Sequence, residues 1–236
     1  EAIIHLMESI DCDQDPDQIS YPNSLKQSEI KNHYANLYWE NQKRKGVTEY
    51  EAKSVMRERN YFASMMVKTG DADAMLSGYS RNYASVVKPV MSIIGKAKGV
   101  TRIAATNMML TDRGPLFLSD TSINIDPTAK ELAKIAYMNA QVVEMFGFKP
   151  VTAMITFANF GASNHPGVKK VSDAVDYLHR YYPDLEVDGP LQSDFALNKE
   201  MLAEKFPFSE LVKNNVNTLI FPNLESANIT YKLLKE

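Results

Sequence analysis

The chain has 236 residues, 44% of them hydrophobic and 23% charged, with a formal net charge of −3. That is ordinary globular usage for one large domain or two small ones, and it excludes disordered and fibrous classes. The absence of a basic stripe argues against nucleic acid, and no apolar run approaches a membrane span. Cys12, the single cysteine, rules out an internal disulfide and a multi-cysteine metal site.

The N-terminal Glu-Ala-Ile-Ile-His lacks a basic region leading into an apolar one, so a cytoplasmic protein is expected. From Lys26 to Lys45 the residues Ile30, Tyr34, Leu37 and Tyr38 recur at helical spacing, and Gly46 offers a C-cap. Thr48 with Glu51 reads as a capping box opening a helix to about Arg59, and a short helix from Tyr61 to Lys68 runs into Gly70. Trp39 and the twelve methionines read as packing residues.

After Gly70 the pattern changes. Ala72 to Leu76 reads as a strand, followed by a helix carrying Val86, Val87, Val90 and Ile94. Val100 to Leu110 is a further strand, Asp112-Arg113-Gly114 a tight turn, and Leu116 to Leu118 the next strand. Asp126-Pro127 reads as a helix start, with the helix ending at Gly147. Then strands at 151–157, 185–187 and 216–221 alternate with helices at 167–181, 198–205 and 225–234, which predicts a largely parallel sheet covered on both faces.

Polar loops follow the apolar runs, where open α/β sheets bind ligands. Residues 71–78 present backbone N–H groups to an anion, with Arg81 and Asn82 one step later, or else form a plain capped turn. Asp120 offers its carboxylate either to a ligand or to a neighbouring loop. In residues 156–163, Gly161 permits close backbone approach and Ser163 can donate to an oxyanion. His165, before Pro166, reads as a capping histidine, and no histidine here has triad or metal-ligand spacing. Asp188, Gln192 and Asp194 would come together if residues 189–194 begin a helix, serving as acid/base groups or as a hydrogen-bonded hinge. Asn223 and Asn228 flank the last helix start, where amides often cap. No Gly-x-Gly-x-x-Gly fingerprint occurs, so no nicotinamide site is placed in this chain.

The order of these motifs from about Gly70 to Lys232 resembles the phosphate acetyltransferase family. Arg113-Gly-Pro-Leu-Phe-Leu-Ser-Asp, Asn159-Phe-Gly-Ala-Ser-Asn-His-Pro and Phe206-Pro-Phe-Ser are similar to the branch fused to bacterial malic enzymes. The resemblance implies a two-lobed α/β/α three-layer fold of the isocitrate/isopropylmalate dehydrogenase type, with lobes at 1–118 and 119–236 and the first incomplete. It also implies coenzyme A and acyl phosphate bound between the lobes, in a cleft expected to include Ser77, Arg81, Asp120, Asn159, Ser163, Asp188 and Asn228.

Departures from the family pattern bear on function. Lys88 stands where the family usually has an arginine, and a lysine meets phosphate only as a point charge. Thr121 takes the place of a cysteine, while Ala158 and Ala162 replace serines. The family also continues past the Tyr231-Lys232 helix, so a piece of a longer polypeptide is expected.

The implied function is an acetyl-CoA-binding regulatory domain of a malic enzyme, with NAD(P) and Mg or Mn held in a preceding domain. The alternatives are a working phosphate acetyltransferase and a purely structural oligomerisation module. Self-association, at least to a dimer and through the second lobe, is expected on the same resemblance.

Overall fold

The computed structural model describes residues 28–78, 82–98 and 100–236. The described residues divide into two compact units, one before and one after residue 99.

In the first unit α1 (Ser28–Gln42) runs into a 3-10 turn closed by Gly46 at φ 91°. α2 (Glu49–Val55) opens on the expected capping box, Thr48 with Glu51. It stops at Val55 rather than Arg59, because Arg59 belongs to α3 (Arg59–Thr69), which is capped by Glu58 and ended by Gly70 at φ 83°. α4 (Tyr83–Ile93) is capped by Asn82 and contains Pro89. Tyr34, Ala35, Tyr38, Ala52, Met56, Phe62 and Met65 are buried together, with Trp39 packed against them. Two buried amides tie α4 into this cluster: Asn60 Nδ2 donates to the Ser85 carbonyl at 3.0 Å, and Gln42 Nε2 to the Ser92 carbonyl at 2.6 Å.

The expected strand at 72–76 does not form. Residues 72–77 carry no regular structure, and among the described residues of this unit there is no strand for them to pair with. Alternation alone cannot hold an extended segment whose backbone N–H and C=O groups lack a ladder partner.

The second unit is a five-stranded sheet in the order β1-β2-β5-β3-β4. Its strands are β1 (Thr106–Thr111), β2 (Gly114–Ser119), β3 (Val151–Ile155), β4 (Glu186–Leu191) and β5 (Thr218–Ile220). β2, β5, β3 and β4 run parallel, and β1 is an antiparallel edge joined to β2 through the Asp112-Arg113 turn. The strand expected from Val100 thus begins only at Thr106. Because this hairpin hydrogen-bonds to β5, the compact units divide at residue 99 instead of at 118/119, a position inside β2.

Helices cover both faces. On one side α5 (Ala129–Met145) and α6 (Pro166–Tyr181) pack Leu132, Ala136, Val171 and Leu178 against Met154, Val187 and Ile220. On the other, α7 (Ser193–Leu197), α8 (Lys199–Lys205) and α9 (Leu224–Lys235) bring Phe195, Leu202 and Ala227 against Leu118, Ala153, Leu191 and Leu219. Neighbouring residues such as Ala153/Met154 and Leu219/Ile220 serve opposite layers, which explains why these strands are apolar throughout.

α5 is opened by a Thr128–Glu131 capping box, not by Asp126. Asp126 pairs with Lys170 at 2.5 Å. β4 breaks register between Asp188 and Leu191, where the Gly189–Pro190 peptide is cis. At φ 146° a Cβ on Gly189 would lie 2.6 Å from the Met154 carbonyl oxygen, so only glycine fits. The shift sends Val187 into one helical layer and Leu191 into the other.

Candidate functional site

The parallel strands β2, β5, β3 and β4 end at Ser119, Ile220, Ile155 and Leu191, all on one edge of the sheet. The chain leaves β2 and β3 toward the α5/α6 layer and leaves β5 and β4 toward the α7–α9 layer. Neighbouring strands therefore exit on opposite faces, the arrangement that opens crevices for ligands at the strand carboxyl ends. Two side-chain bridges cross this edge.

The first joins the loops after β3 and β4. Asn159 Nδ2 donates to Gln192 Oε1 at 2.7 Å, and the Gln192 backbone N–H returns to Asn159 Oδ1 at 2.8 Å. Gln192 Nε2 then reaches the Phe157 carbonyl at 3.0 Å. The second joins the β2 loop to α9, where Asn228 Nδ2 donates to the Thr121 carbonyl at 3.0 Å. Asn223 caps the same helix by accepting from the Ser226 N–H at 2.9 Å.

Asp120 sits at the centre of the β2 loop and is 4% exposed. Its Oδ1 accepts from the backbone N–H groups of Ala105, Ser122 and Ile123 at 3.1–3.2 Å, and its Oδ2 from the Asn124 N–H at 2.8 Å and from the Asn124 side-chain amide. Every lone pair of this carboxylate is thus engaged in holding the loop. Of the two roles open to it in the sequence, the structure shows the loop cap. Thr121 is fully buried, and its hydroxyl accepts from Asn107 Nδ2 at 2.9 Å.

Asp188, Gln192 and Asp194 do not share a helical turn, because residues 189–191 are strand and α7 starts only at Ser193. Asp188 Oδ2 instead accepts from the Ser209 hydroxyl at 2.6 Å and from the Glu210 N–H at 3.2 Å. Asp194 accepts from the Phe195 N–H at 3.0 Å. Of the three, only Gln192 serves the strand-end bridges.

In the β3 loop a 3-10 turn, Phe160–Ala162, exposes Gly161 and half-buries Ser163, whose hydroxyl accepts from the His165 N–H at 3.2 Å. His165 caps α6 through Nδ1, which accepts from the Gly167 N–H at 3.1 Å. Phe160 has φ 43°, rare for a non-glycine residue, and its ring lies 5.1 Å from Phe206 and 4.8 Å from Phe208. This aromatic group, with Asn107 and Ser209, escaped the sequence reading. Only the Phe206-Pro-Phe-Ser motif hinted at it.

Ser77, Asn82 and Lys88 belong to the first unit. The Ser77 hydroxyl donates to Asn60 Oδ1 at 2.8 Å, Asn82 caps α4, and Lys88 is exposed on that helix. Arg81 lies outside the described residues. Two recesses of the second unit, about 610 and 850 Å3, lie at the opposite, amino edge of the sheet. In the smaller one Lys149 pairs with Glu186 and Lys213 with Glu210, beside a further carboxylate at Asp184, and the chemistry-bearing side chains named above gather at the carboxyl edge. Among the described residues no three His, Cys, Asp or Glu side chains gather as a metal site would require, and no helix is long and apolar enough to cross a membrane.

Residues 5–236 match the phosphate acetyl/butaryl transferase family. The chain belongs to that family. It is 37% identical over 84% of its length to an NADP-dependent malic enzyme of Haemophilus influenzae, of which it covers 26%. It is 31% identical over its whole length to a phosphate acetyltransferase of Helicobacter pylori, of which it covers 44%. Among solved structures, a phosphotransacetylase from Streptococcus pyogenes superposes with a TM-score of 0.78 at 33% identity. That superposition covers 98% of this chain and 69% of the other. The chain thus spans between a quarter and a half of the length of these curated relatives.

Proposed function

We propose that this phosphate acetyl/butaryl transferase-family chain is the acetyl-CoA-binding regulatory domain of a longer malic enzyme that oxidatively decarboxylates malate to pyruvate. The reading includes the isocitrate/isopropylmalate dehydrogenase class of fold, a nicotinamide cofactor and a divalent metal held by another part of that polypeptide, and a cytoplasmic location. The observation that carries it is the state of the strand-end edge. Asp120, directly after β2, and Asp188, within β4, accept from backbone and hydroxyl donors of the fold itself. Around them stand a buried threonine hydroxyl at 121 and the methyl groups of Ala158 and Ala162. Among the described residues such an edge offers shape, amides and hydroxyls to a ligand and no thiol, and its exposed Asp194 carboxylate accepts from the Phe195 N–H through Oδ1. Identity of 34–37% to NADP-dependent malic enzymes supports the same reading. Acetyl-CoA then acts by binding one of two enzyme states more tightly than the other.

The second reading is phosphate acetyltransferase activity, favoured by the superposition on solved phosphotransacetylases along 98–99% of this chain. One experiment separates the two. Acetyl-CoA is titrated into the full-length polypeptide while malate turnover is followed, and acetyl phosphate formation from acetyl-CoA and phosphate is assayed alongside. Saturable inhibition with micromolar affinity and background acyl transfer are expected. Robust acetyl phosphate formation supports the transferase, and absence of both binding and inhibition overturns the two readings together.

A further inference from the structure

One residue of the carboxyl edge stands in a strained backbone conformation. Among the described residues Phe160 is the one non-glycine residue at positive φ, 43°. There its Cβ crowds the following carbonyl, so a chain free of other constraints would return to negative φ. Asn159, beside it, is extended at φ −91° and ψ 129° and supplies both groups of the bridge to Gln192. Rotation about the Phe160 φ turns Asn159 against the 3-10 turn that follows, so this single angle governs the bridge.

The ring of Phe160 is what opposes that return. It meets Phe208 edge-on at 4.8 Å and 61°, and Phe206 at 5.1 Å and 59°, against the core shared with α7–α9. Phe206, Pro207, Phe208 and Ser209 form a turn with proline at its second position, closed by the Ser209 N–H on the Phe206 carbonyl at 3.0 Å. The Ser209 hydroxyl ties this turn to Asp188 in β4 at 2.6 Å, and Phe206 packs on Phe195 at 5.4 Å. Phe208 differs from the other rings, because 67% of it is exposed. A side chain so open adds little to the core and is free to swing away from Phe160.

We infer that Phe160, Phe206 and Phe208 form an aromatic latch that gates the carboxyl edge through the Asn159–Gln192 bridge. Engaged, the latch holds the β3 loop in its strained form and keeps Asn159 on Gln192. Released, the Phe160 backbone relaxes, Asn159 turns away and the two loops part. The strain of one left-handed residue and the gain from two tilted ring contacts are of the same order, so the two forms lie close in free energy. An element so balanced shifts toward whichever form a ligand at the edge favours. Phe160 and Phe208 are thus positioning residues, acting on the edge through Asn159.

Hydrogen exchange of the 236-residue chain tests this at two amides, the Ala162 N–H on the Asn159 carbonyl and the Gln192 N–H on Asn159 Oδ1. The Phe117 and Phe221 N–H groups, bonded to the carbonyls of Asn217 and Ser119, serve as controls on the far side of the sheet. Phe208→Ala should speed exchange at Ala162 and Gln192 about tenfold and leave the controls within about twofold of the parent. Phe208→Tyr keeps the ring and should restore the parent rates. At position 160 glycine should protect better than alanine, with Phe160→Gly exchanging about fivefold more slowly than Phe160→Ala, because glycine accepts the positive φ. Unchanged exchange at Ala162 and Gln192 in Phe208→Ala overturns the latch. So does a rise shared equally by the controls, which marks a general loss of stability, and so does alanine at 160 protecting as well as glycine. Phe208 stands mostly in solvent, so its variants decide the question even if those at 160 fail to fold. No ligand enters the measurement, so its failure is distinct from failure of the acetyl-CoA reading.

Discussion

Asn159 and Gln192 hold each other by two hydrogen bonds, side-chain amide to side-chain carbonyl at 2.7 Å and backbone N–H to side-chain carbonyl at 2.8 Å. They stand 33 residues apart in sequence and belong to loops that leave neighbouring strands toward opposite helical layers. Their mutual grip sets the spacing of those loops at the edge where a ligand would enter. Truncating either to alanine leaves a buried amide or N–H unpaired, at a cost of about 1–3 kcal/mol. Urea denaturation of the two single variants and the double variant should show a coupling of about 1 kcal/mol, the double costing less than the sum. The same variants should weaken acetyl-CoA inhibition, which ties the stability of the bridge to the proposed ligand.

Asp120 makes a sharper case, because its partners are mainly backbone N–H groups that no side-chain change can remove. Asp120→Ala is expected to cost at least about 3 kcal/mol, since several buried donors lose their acceptor at once. Asp120→Asn keeps one carbonyl oxygen and should retain part of that stability. Thermal denaturation of both variants ranks them.

Gly189 is fixed by contact rather than by dihedral alone. A methyl group there meets the Met154 carbonyl oxygen at 2.6 Å and its Cβ at 3.0 Å, both in the centre of the sheet. Gly189→Ala should therefore lose about 3 kcal/mol or more, by forcing β3 and β4 apart. Gly46→Ala, at φ 91° with nothing within 4 Å of the added carbon, should cost only about 1 kcal/mol. Equal losses at the two positions would show that the close approach is not what selects glycine.

A pH effect is expected in the first unit. The Tyr34 hydroxyl donates to Asp71 Oδ2 at 2.6 Å, and the Thr69 hydroxyl donates to the same oxygen. Burial, then this hydrogen bond, raises the Tyr34 phenol above its ordinary 10.0. The Thr69 and then the Tyr34 hydrogen bond lowers the Asp71 carboxyl below its ordinary 3.8. A lowered carboxyl contributes stability that is present above its unfolded value and lost as pH falls past it. A raised phenol contributes stability present below its unfolded value and lost as pH rises past it. Stability should thus be flat between about pH 5 and 9 and fall at both ends. Asp71→Asn should reduce the acid limb, to which the lowered Glu51 also contributes, and Tyr34→Phe should reduce the alkaline limb, to which the raised Tyr38 also contributes, together with part of the acid one, as read from urea midpoints across the range.

Local signals carried much of this architecture in the sequence. The Thr48–Glu51 box, the Gly46 and Gly70 stops and the His165-Pro166 start all act within a few residues, and each stands where its chemistry predicted. The failures share one cause, which is partners distant along the chain. Alternation at 72–76 looks like a strand until a neighbouring strand is required. Asp126-Pro127 outcompetes Thr128 as a helix start on paper, but the Thr128–Glu131 box satisfies more N–H groups and Asp126 is drawn to Lys170. At the edge site the residue types were readable and their roles were not. Asp188 read equally as an acid/base group or as part of a hydrogen-bonded hinge next to Gln192, because nothing local reveals Ser209, which takes its carboxylate.

The register shift in β4 has a consequence for how this sheet tolerates change. A loop absorbs an inserted or deleted residue by altering its path, but β4 hands Val187 to one helical layer and Leu191 to the other across a single irregular step. Adding one more residue between them, with the irregular step kept, would turn Leu191 into the crowded side occupied by α5 and α6 and leave a void beneath α7. A length change in six residues of strand would thus disturb both layers at once. This strand works as the keystone of the unit, and it can vary in side chain far more readily than in length.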